Sequence, residues 1–211
     1  MKVAMLGTGS VGQALAKGFT ALGHDVIFGT RDPLGTTAQR AIAEVRGTRA
    51  ASFAEAAKLA DLAVLATPWS GTQNALQLAG AQNLAGKVLI DVTNPLEYAG
   101  SGPKLALGFD TSAGEQVQAW APQAKVVKAF NTVGNGMMFK PKVAVAPTMF
   151  IAGNDAAAKE TVAGLLRQFG WKASDLGGIE AARYLEPFAM VWITHAMKNN
   201  TWMYVLTPVA A

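Results

Sequence analysis

The stretch Met1–Asp32, MKVAMLGTGSVGQALAKGFTALGHDVIFGTRD, decides the fold. It opens with a short apolar run, Val3-Ala4-Met5-Leu6, and a glycine-rich turn follows, Gly7-Thr8-Gly9-Ser10-Val11-Gly12. Val11, Ala14, Leu15, Gly18, Phe19 and Leu22 then recur at helical spacing. A second apolar run, Val26-Ile27-Phe28, ends in Gly29-Thr30-Arg31. Strand, turn, helix, strand is the first half of a dinucleotide-binding unit.

Each glycine of the turn has a physical task. Gly7 lets the backbone leave the strand sharply, Gly9 leaves room for a pyrophosphate, and Gly12 lets the helix pack close to the strand. The helix opening near Ser10 aims unpaired N–H groups and its positive dipole end at the phosphates.

The tip of the second strand sets which dinucleotide. An acidic residue there holds the ribose 2′-OH of NAD, whereas a cation accommodates the 2′-phosphate of NADP. This tip reads Gly29-Thr30-Arg31-Asp32-Pro33. Thr30 offers a hydroxyl and Arg31 a planar fork of donors suited to phosphate, so NADP(H) is expected. Asp32 either caps a helix with Pro33 at its first position or holds a ribose, the one route left to NAD.

The 211 residues suffice for one sizeable domain with a small appendage; 51% are hydrophobic and 15% charged. The net charge of +4 is scattered rather than clustered, which argues against a nucleic-acid face and fits an anionic small ligand. With no cysteine, disulfides and thiolate chemistry are excluded, and two isolated histidines, His24 and His195, do not make a zinc site. No signal-peptide pattern or membrane span is read, so a cytoplasmic protein is expected.

Beyond Pro33, helices and near-continuous apolar strands alternate at short spacing. A helix is predicted over 36–46, then strands over 48–51, 62–66, 88–92, 126–130, 148–152 and 171–176. Ser52-x-x-Glu55, Ser70-x-x-Gln73 and Ser112-x-x-Glu115 read as capping boxes, and 179 to about 206 as mainly helical, with Pro187 starting or kinking its second part. The stretches 96–111 and 134–146 read as irregular. The pattern is that of an α/β, doubly wound, mostly parallel sheet covered on both faces. The expected division is a Rossmann-type NADP-binding domain over 1–152 and a C-terminal helical/αβ extension over 153–211, forming an acceptor or dimer surface.

In such sheets ligands lie outside the carboxyl ends of the strands. Besides the glycine turn, those ends read Thr67-Pro68-Trp69, Thr93-Asn94-Pro95 and Asn131-Thr132-Val133. Thr67, Asn94, Asn131 and Thr132 can orient a nicotinamide or a second ring. No general acid or base stands out: His195 has an apolar helical neighbourhood, and Asp91 sits inside a strand as a buried hydrogen-bonding group. Hydride transfer between two flat redox rings needs mainly alignment, so no catalytic side chain is required.

Gly7–Gly12, Gly29-Thr30-Arg31, Ala66-Thr67-Pro68, Asp91-Val92-Thr93-Asn94-Pro95 and Lys128-Ala129-Phe130-Asn131-Thr132 together resemble the NADPH:coenzyme F-420 oxidoreductase family. That family includes the cytosolic reductase domains of six-transmembrane ferric reductases. The resemblance implies an often dimeric protein that passes hydride between NADPH and coenzyme F-420, FMN or FAD. It places Ala66, Thr67, Pro68, Asn94, Ala129, Asn131 and Thr132 with the glycine turn, Thr30 and Arg31 in the cofactor site. The archaeal F-420 enzymes carry a histidine where this chain has Asn131; the asparagine is closer to the ferric reductase domains. Two alternatives stay open: a small imine or carbonyl reductase, and a non-catalytic NADP(H) sensor. The apolar C-terminal side chains Phe188, Met190, Trp192, Ile193, Met197, Trp202, Met203 and Tyr204 are expected to cover the second ring or form a homodimer face.

Overall fold

A computed structural model describes residues 1–100 and 102–209. The chain begins with β1 (Lys2–Leu6), α1 (Ser10–Ala21), β2 (Asp25–Thr30), α2 (Thr36–Glu44) and β3 (Arg49–Ser52). It continues through α3 (Phe53–Leu59), β4 (Leu62–Leu65), α4 (Trp69–Ala79), α5 (Ala81–Leu84) and β5 (Val88–Asp91). A hairpin of β6 (Leu96–Ala99) and β7 (Gly102–Leu105) precedes α6 (Ala113–Trp120) and β8 (Lys125–Lys128). Then come β9 (Thr148–Gly153), α7 (Ala156–Gln168), β10 (Lys172–Asp175) and α8 (Ala182–Asn199).

Eight strands form one sheet in the order β10-β9-β8-β5-β4-β1-β2-β3. Every neighbour pair is parallel except β8 with β9. Because β1 pairs with both β2 and β4, the order of the strands reverses at the β1/β4 boundary. That switch point is where an open α/β sheet leaves a crevice.

The central strands are apolar on both faces because both are covered. From β1, Val3 and Met5 join the cluster containing Leu15, Phe19 and Phe169. Ala4 and Leu6 point the other way, into the cluster with Phe53, Leu76 and Val117. This period-two alternation over fully buried residues explains why the sequence shows a continuous hydrophobic run. Phe169 gathers one layer, with ring centroids 4.9 Å from Phe19, 5.6 Å from Phe130 and 5.1 Å from Phe139.

The structure corrects the sequence reading at four places. The stretch 96–111 is not wholly irregular: it holds the β6–β7 hairpin, whose antiparallel register runs from Leu96↔Leu105 to Ala99↔Gly102. Its strands are four residues each and β7 opens with Gly102-Pro103, so too few positions remain for a period to show. Ser70 does not cap a helix: α4 starts one residue earlier, with extended Pro68 as N-cap and no side-chain cap. Asp32 does not open a helix at Pro33 either; it accepts from the Leu34 N–H (3.1 Å), and α2 starts at Thr36 after Gly35. Finally, the last helix stops at Asn199, where Asn200 turns left-handed (φ 48°), rather than continuing to about residue 206.

The chain then folds back on α8. Trp192 donates from Nε1 to the Tyr204 carbonyl (3.1 Å), Tyr204 donates from its hydroxyl to the Trp192 carbonyl (2.6 Å), and the two rings stack. Part of the apolar C-terminal set is therefore internal packing, with Trp192 buried, while Met197, Trp202 and Met203 remain exposed. No helix among the described residues is long and apolar enough to cross a membrane.

Candidate active site

The glycine turn follows directly from the strand chemistry. Gly7 has φ +128°, open to glycine and strained for any other residue, and an added Cβ would meet the Ala66 carbonyl. At Gly12 a Cβ would meet the Gly7 carbonyl, so the first turn of α1 can lie against β1 only without one. At Gly9 a Cβ would meet nothing within 4 Å, although its backbone is ordinary (φ −74°). Gly7 and Gly12 are therefore explained by internal packing, whereas Gly9 is exposed with open space above it.

Gly9 lines a cleft of about 680 Å³ at the β1/β4 switch point. Gly7, Thr8 and Gly9 line one side, Thr30, Arg31 and Asp32 the second, Ala66, Thr67 and Pro68 the third. The helices α1, α2 and α4, which border this cleft, have no side-chain cap. Side chains close the starts of α3 (Ser52), α6 (Ser112) and α7 (Asp155), while α5 and α8 also begin without one. In α1 the first intrahelical bond is Gln13 N–H to the Gly9 carbonyl (2.9 Å), so the N–H groups of Ser10, Val11 and Gly12 precede the ladder. Unpaired N–H groups at a helix start suit an anion. Arg31 is exposed at the rim of the same cleft.

Proton bookkeeping fixes what Thr67 offers. Thr72 donates its single proton to the Pro68 carbonyl (3.0 Å), so the 2.9 Å contact between the hydroxyls of Thr67 and Thr72 has Thr67 as donor. Thr67 is thereby left with lone pairs only and can accept an N–H.

The tips of β5 and β8 carry the second group. Asn94 donates from Nδ2 to the Asn131 main-chain carbonyl (2.8 Å) and so presents Oδ1 to its neighbour. Asn131 donates from Nδ2 to that Oδ1 (3.0 Å) and to the Leu185 carbonyl (3.1 Å). Both neighbours accept, so the Asn131 amide can face them only with its NH₂. Its Oδ1 is buried with no partner. An unsatisfied buried acceptor costs about 1–3 kcal/mol, a cost that a ligand donor would relieve. The residue before it, Phe130, is left-handed (φ 62°) and almost wholly buried, a strained turn at the strand tip.

Ala129 and Thr132 do not join this group. Ala129 is fully buried with its N–H on the Asp91 carbonyl (3.0 Å), and the Thr132 hydroxyl faces the Met149 sulfur (3.8 Å). His195 is exposed and packs edge-on against Tyr204, with ring centroids 4.9 Å apart. Asp91 is the buried hydrogen-bonding group its place in the strand suggests: Oδ1 accepts from the Thr93 N–H (2.9 Å) and hydroxyl (2.7 Å). The sequence reading missed its partners. Lys128 Nζ lies 2.9 Å from Asp91 Oδ2 and 2.8 Å from Glu186 Oε1, with all three side chains out of water. A lysine inside the apolar run Val126-Val127-Lys128-Ala129-Phe130 was the available signal. Burial alone would push Lys128 down, but the charges of Asp91 and then Glu186 outweigh it and raise it above its ordinary value. No cluster of metal-ligating side chains occurs among the described residues.

Comparison with known proteins agrees with this architecture. The model of the family described as "NADP oxidoreductase coenzyme F420-dependent" matches residues 2–95. The F420-dependent NADP reductase of Methanothermobacter marburgensis is 30% identical over 95% of this chain and 94% of its own length. Metalloreductase STEAP3 of Rattus norvegicus is 29% identical over 88% of this chain, which spans only 36% of that protein. The crystal structure of a putative F420-dependent NADP-reductase from Arthrobacter sp. FB24 superposes with a TM-score of 0.94 at 41% identity, covering 100% of both chains. This chain belongs to the family of coenzyme F420-dependent NADP oxidoreductases.

Proposed function

We propose that the protein binds NADPH in the β1/β4 cleft and passes its hydride to coenzyme F-420 or a flavin held against Asn94 and Asn131. The observation that carries this reading is the cleft itself: uncapped helix starts, open space over Gly9, and Arg31 at the rim. Gly9 and the N–H groups of Ser10, Val11 and Gly12 receive the pyrophosphate. Thr30 and Arg31 receive the 2′-phosphate, Arg31 as a charge-assisted fork. Ala66 and Pro68 flank the nicotinamide, and the lone pairs of Thr67 accept from its carboxamide.

NADPH would give up its hydride and leave as NADP⁺ while the reduced ring takes a proton from solvent, so the chain has to align two rings rather than supply a proton. Flavins and deazaflavins carry an imide N–H, a donor of the kind the unpaired Asn131 Oδ1 lacks. No titratable side chain is required in this scheme, which fits a site built from amides and hydroxyls. The exposed Met197, Trp202 and Met203 are assigned to a homodimer face; a monomer in size-exclusion with light scattering removes that assignment.

The test is NADPH oxidation followed by absorbance with F-420, FMN, FAD and ferric chelates in parallel. Turnover with F-420 or a flavin is expected. Tight NADPH binding without turnover of any acceptor would mean a nucleotide sensor instead.

A further inference from the structure

Two ladders of contacts run in step across the tips of β5 and β8. Asp91 pairs with Lys128, and Asn94, three residues on, pairs with Asn131, three residues on from Lys128. The same stretch of α8 holds both ladders. Glu186 takes Lys128 (2.8 Å), and the adjacent Leu185 carbonyl takes the Asn131 amide (3.1 Å). Glu186 is also seated on a second element: Ala113 N–H donates to Oε2 (2.9 Å) and Gly114 N–H to Oε1 (3.0 Å), at the start of α6.

The charges explain why so costly an arrangement holds. Two carboxylates and one ammonium leave a net negative charge out of water, which would be unfavourable alone. The positive end of α6 offsets it, and each carboxylate oxygen has a donor. All partners of Glu186 are donors. A glutamine there must set its NH₂ against one of them, whichever way it turns. The carboxylate is thus tied to this one seat, and with it the helix segment whose carbonyl orients Asn131.

We propose that Glu186 is a positioning residue for the acceptor half of the site, locking α8 so that Asn131 presents its oxygen to the second substrate. This rests on the acceptor reading given above. The nucleotide half is held separately: the cleft residues lie on β1, β2 and β4 and their helices, and none of Glu186's hydrogen bonds or ion pairs reaches them.

The test uses the full chain carrying Glu186→Gln, with Glu186→Asp as a second variant that keeps the charge should the first fail to fold. In the wild type the Asn131 side-chain N–H resonances are expected to be protected from solvent exchange, since Asn131 is buried and both hydrogens are bonded. Glu186→Gln is expected to abolish that protection and shift the resonances. It should lower kcat/KM for the acceptor about tenfold or more through a raised acceptor KM, while the NADPH Kd stays within about twofold. Glu186→Asp should retain part of the protection. A merely structural role would lower the active fraction and leave KM alone. Unchanged, protected Asn131 signals in a folded variant would overturn the proposal, as would NADPH and acceptor affinities falling together. Wild-type protein that turns over no flavin or F-420 would sink the acceptor reading, and the resonance arm would still decide the role of Glu186.

Discussion

Gly9 and Gly12 should separate binding from folding when each is changed to alanine. At Gly12 the new Cβ meets the Gly7 carbonyl, with the Gly7 carbonyl carbon at 3.3 Å and Met5 Cγ at 3.4 Å. Two of these atoms are backbone, so α1 must move off the turn, an overpacking cost of about 1–3 kcal/mol. At Gly9 the Cβ meets nothing within 4 Å and φ is −74°, so the free protein should change by no more than about 0.5 kcal/mol. Its Cβ nevertheless fills the approach to the phosphates. Losing one charge-assisted hydrogen bond costs about 1.5–3 kcal/mol, which is roughly a 10- to 150-fold weaker NADPH Kd. Urea unfolding gives the stabilities, and NADPH fluorescence titration gives the affinities. The expected pattern is Gly9→Ala stable but weakly binding, and Gly12→Ala deficient in both. A Gly9→Ala protein that binds NADPH like the wild type would refute the placement of the pyrophosphate.

Other consequences follow from packing and charge. Phe169→Ala removes the ring at the centre of the Phe19, Phe130 and Phe139 group, costing about 3–5 kcal/mol and lowering Tm by roughly 6–20 °C in calorimetry. Glu115 is held below its ordinary 4.5 chiefly by the hydrogen bond from Arg183, so this pair's contribution is complete above that value and fades as pH falls through the lowered one. Arg183→Ala should therefore reduce Tm at neutral pH, and the gap from wild type should close on acidification below pH 4.5; a gap independent of pH would contradict the pairing. Lys128 is raised instead, so its contribution is full at neutral pH and is lost only as pH climbs above its ordinary 10.5; unfolding between neutrality and that value should show no step from this group.

The sheet was legible because burial on both faces leaves a continuous apolar run, as in Val3–Leu6 and Leu62–Leu65. The glycine turn was legible because Gly7 and Gly12 answer to steric demands that no other residue meets. The β6–β7 hairpin was not, since four-residue strands, one of them opening with Gly102-Pro103, are too short to show a hydrophobic period. Ser70 misled for a different reason: Pro68 already supplies the extended residue before the helix, so the serine falls inside the first turn. The site shows the same division. Thr67, Asn94, Asn131 and Thr132 were singled out from the strand tips; the structure sets Thr67 in the cleft and joins Asn94 to Asn131. Glu186 was not, because its role depends on α8 crossing α6 and β8, a tertiary fact with no local signature. Thr132 was read from its place at a strand tip and Ala129 from the family resemblance; the structure buries Ala129 and turns the Thr132 hydroxyl to the Met149 sulfur.

The most direct test of the cleft is the discrimination between NADPH and NADH in wild type and Arg31→Ala, each titrated by fluorescence at low salt. If Arg31 reads the 2′-phosphate, its loss removes about 1.5–3 kcal/mol from NADPH binding and almost nothing from NADH. The NADPH preference should then shrink by roughly 10- to 150-fold. Equal weakening of both nucleotides, or none of either, would contradict the assignment of this cleft as the NADP site.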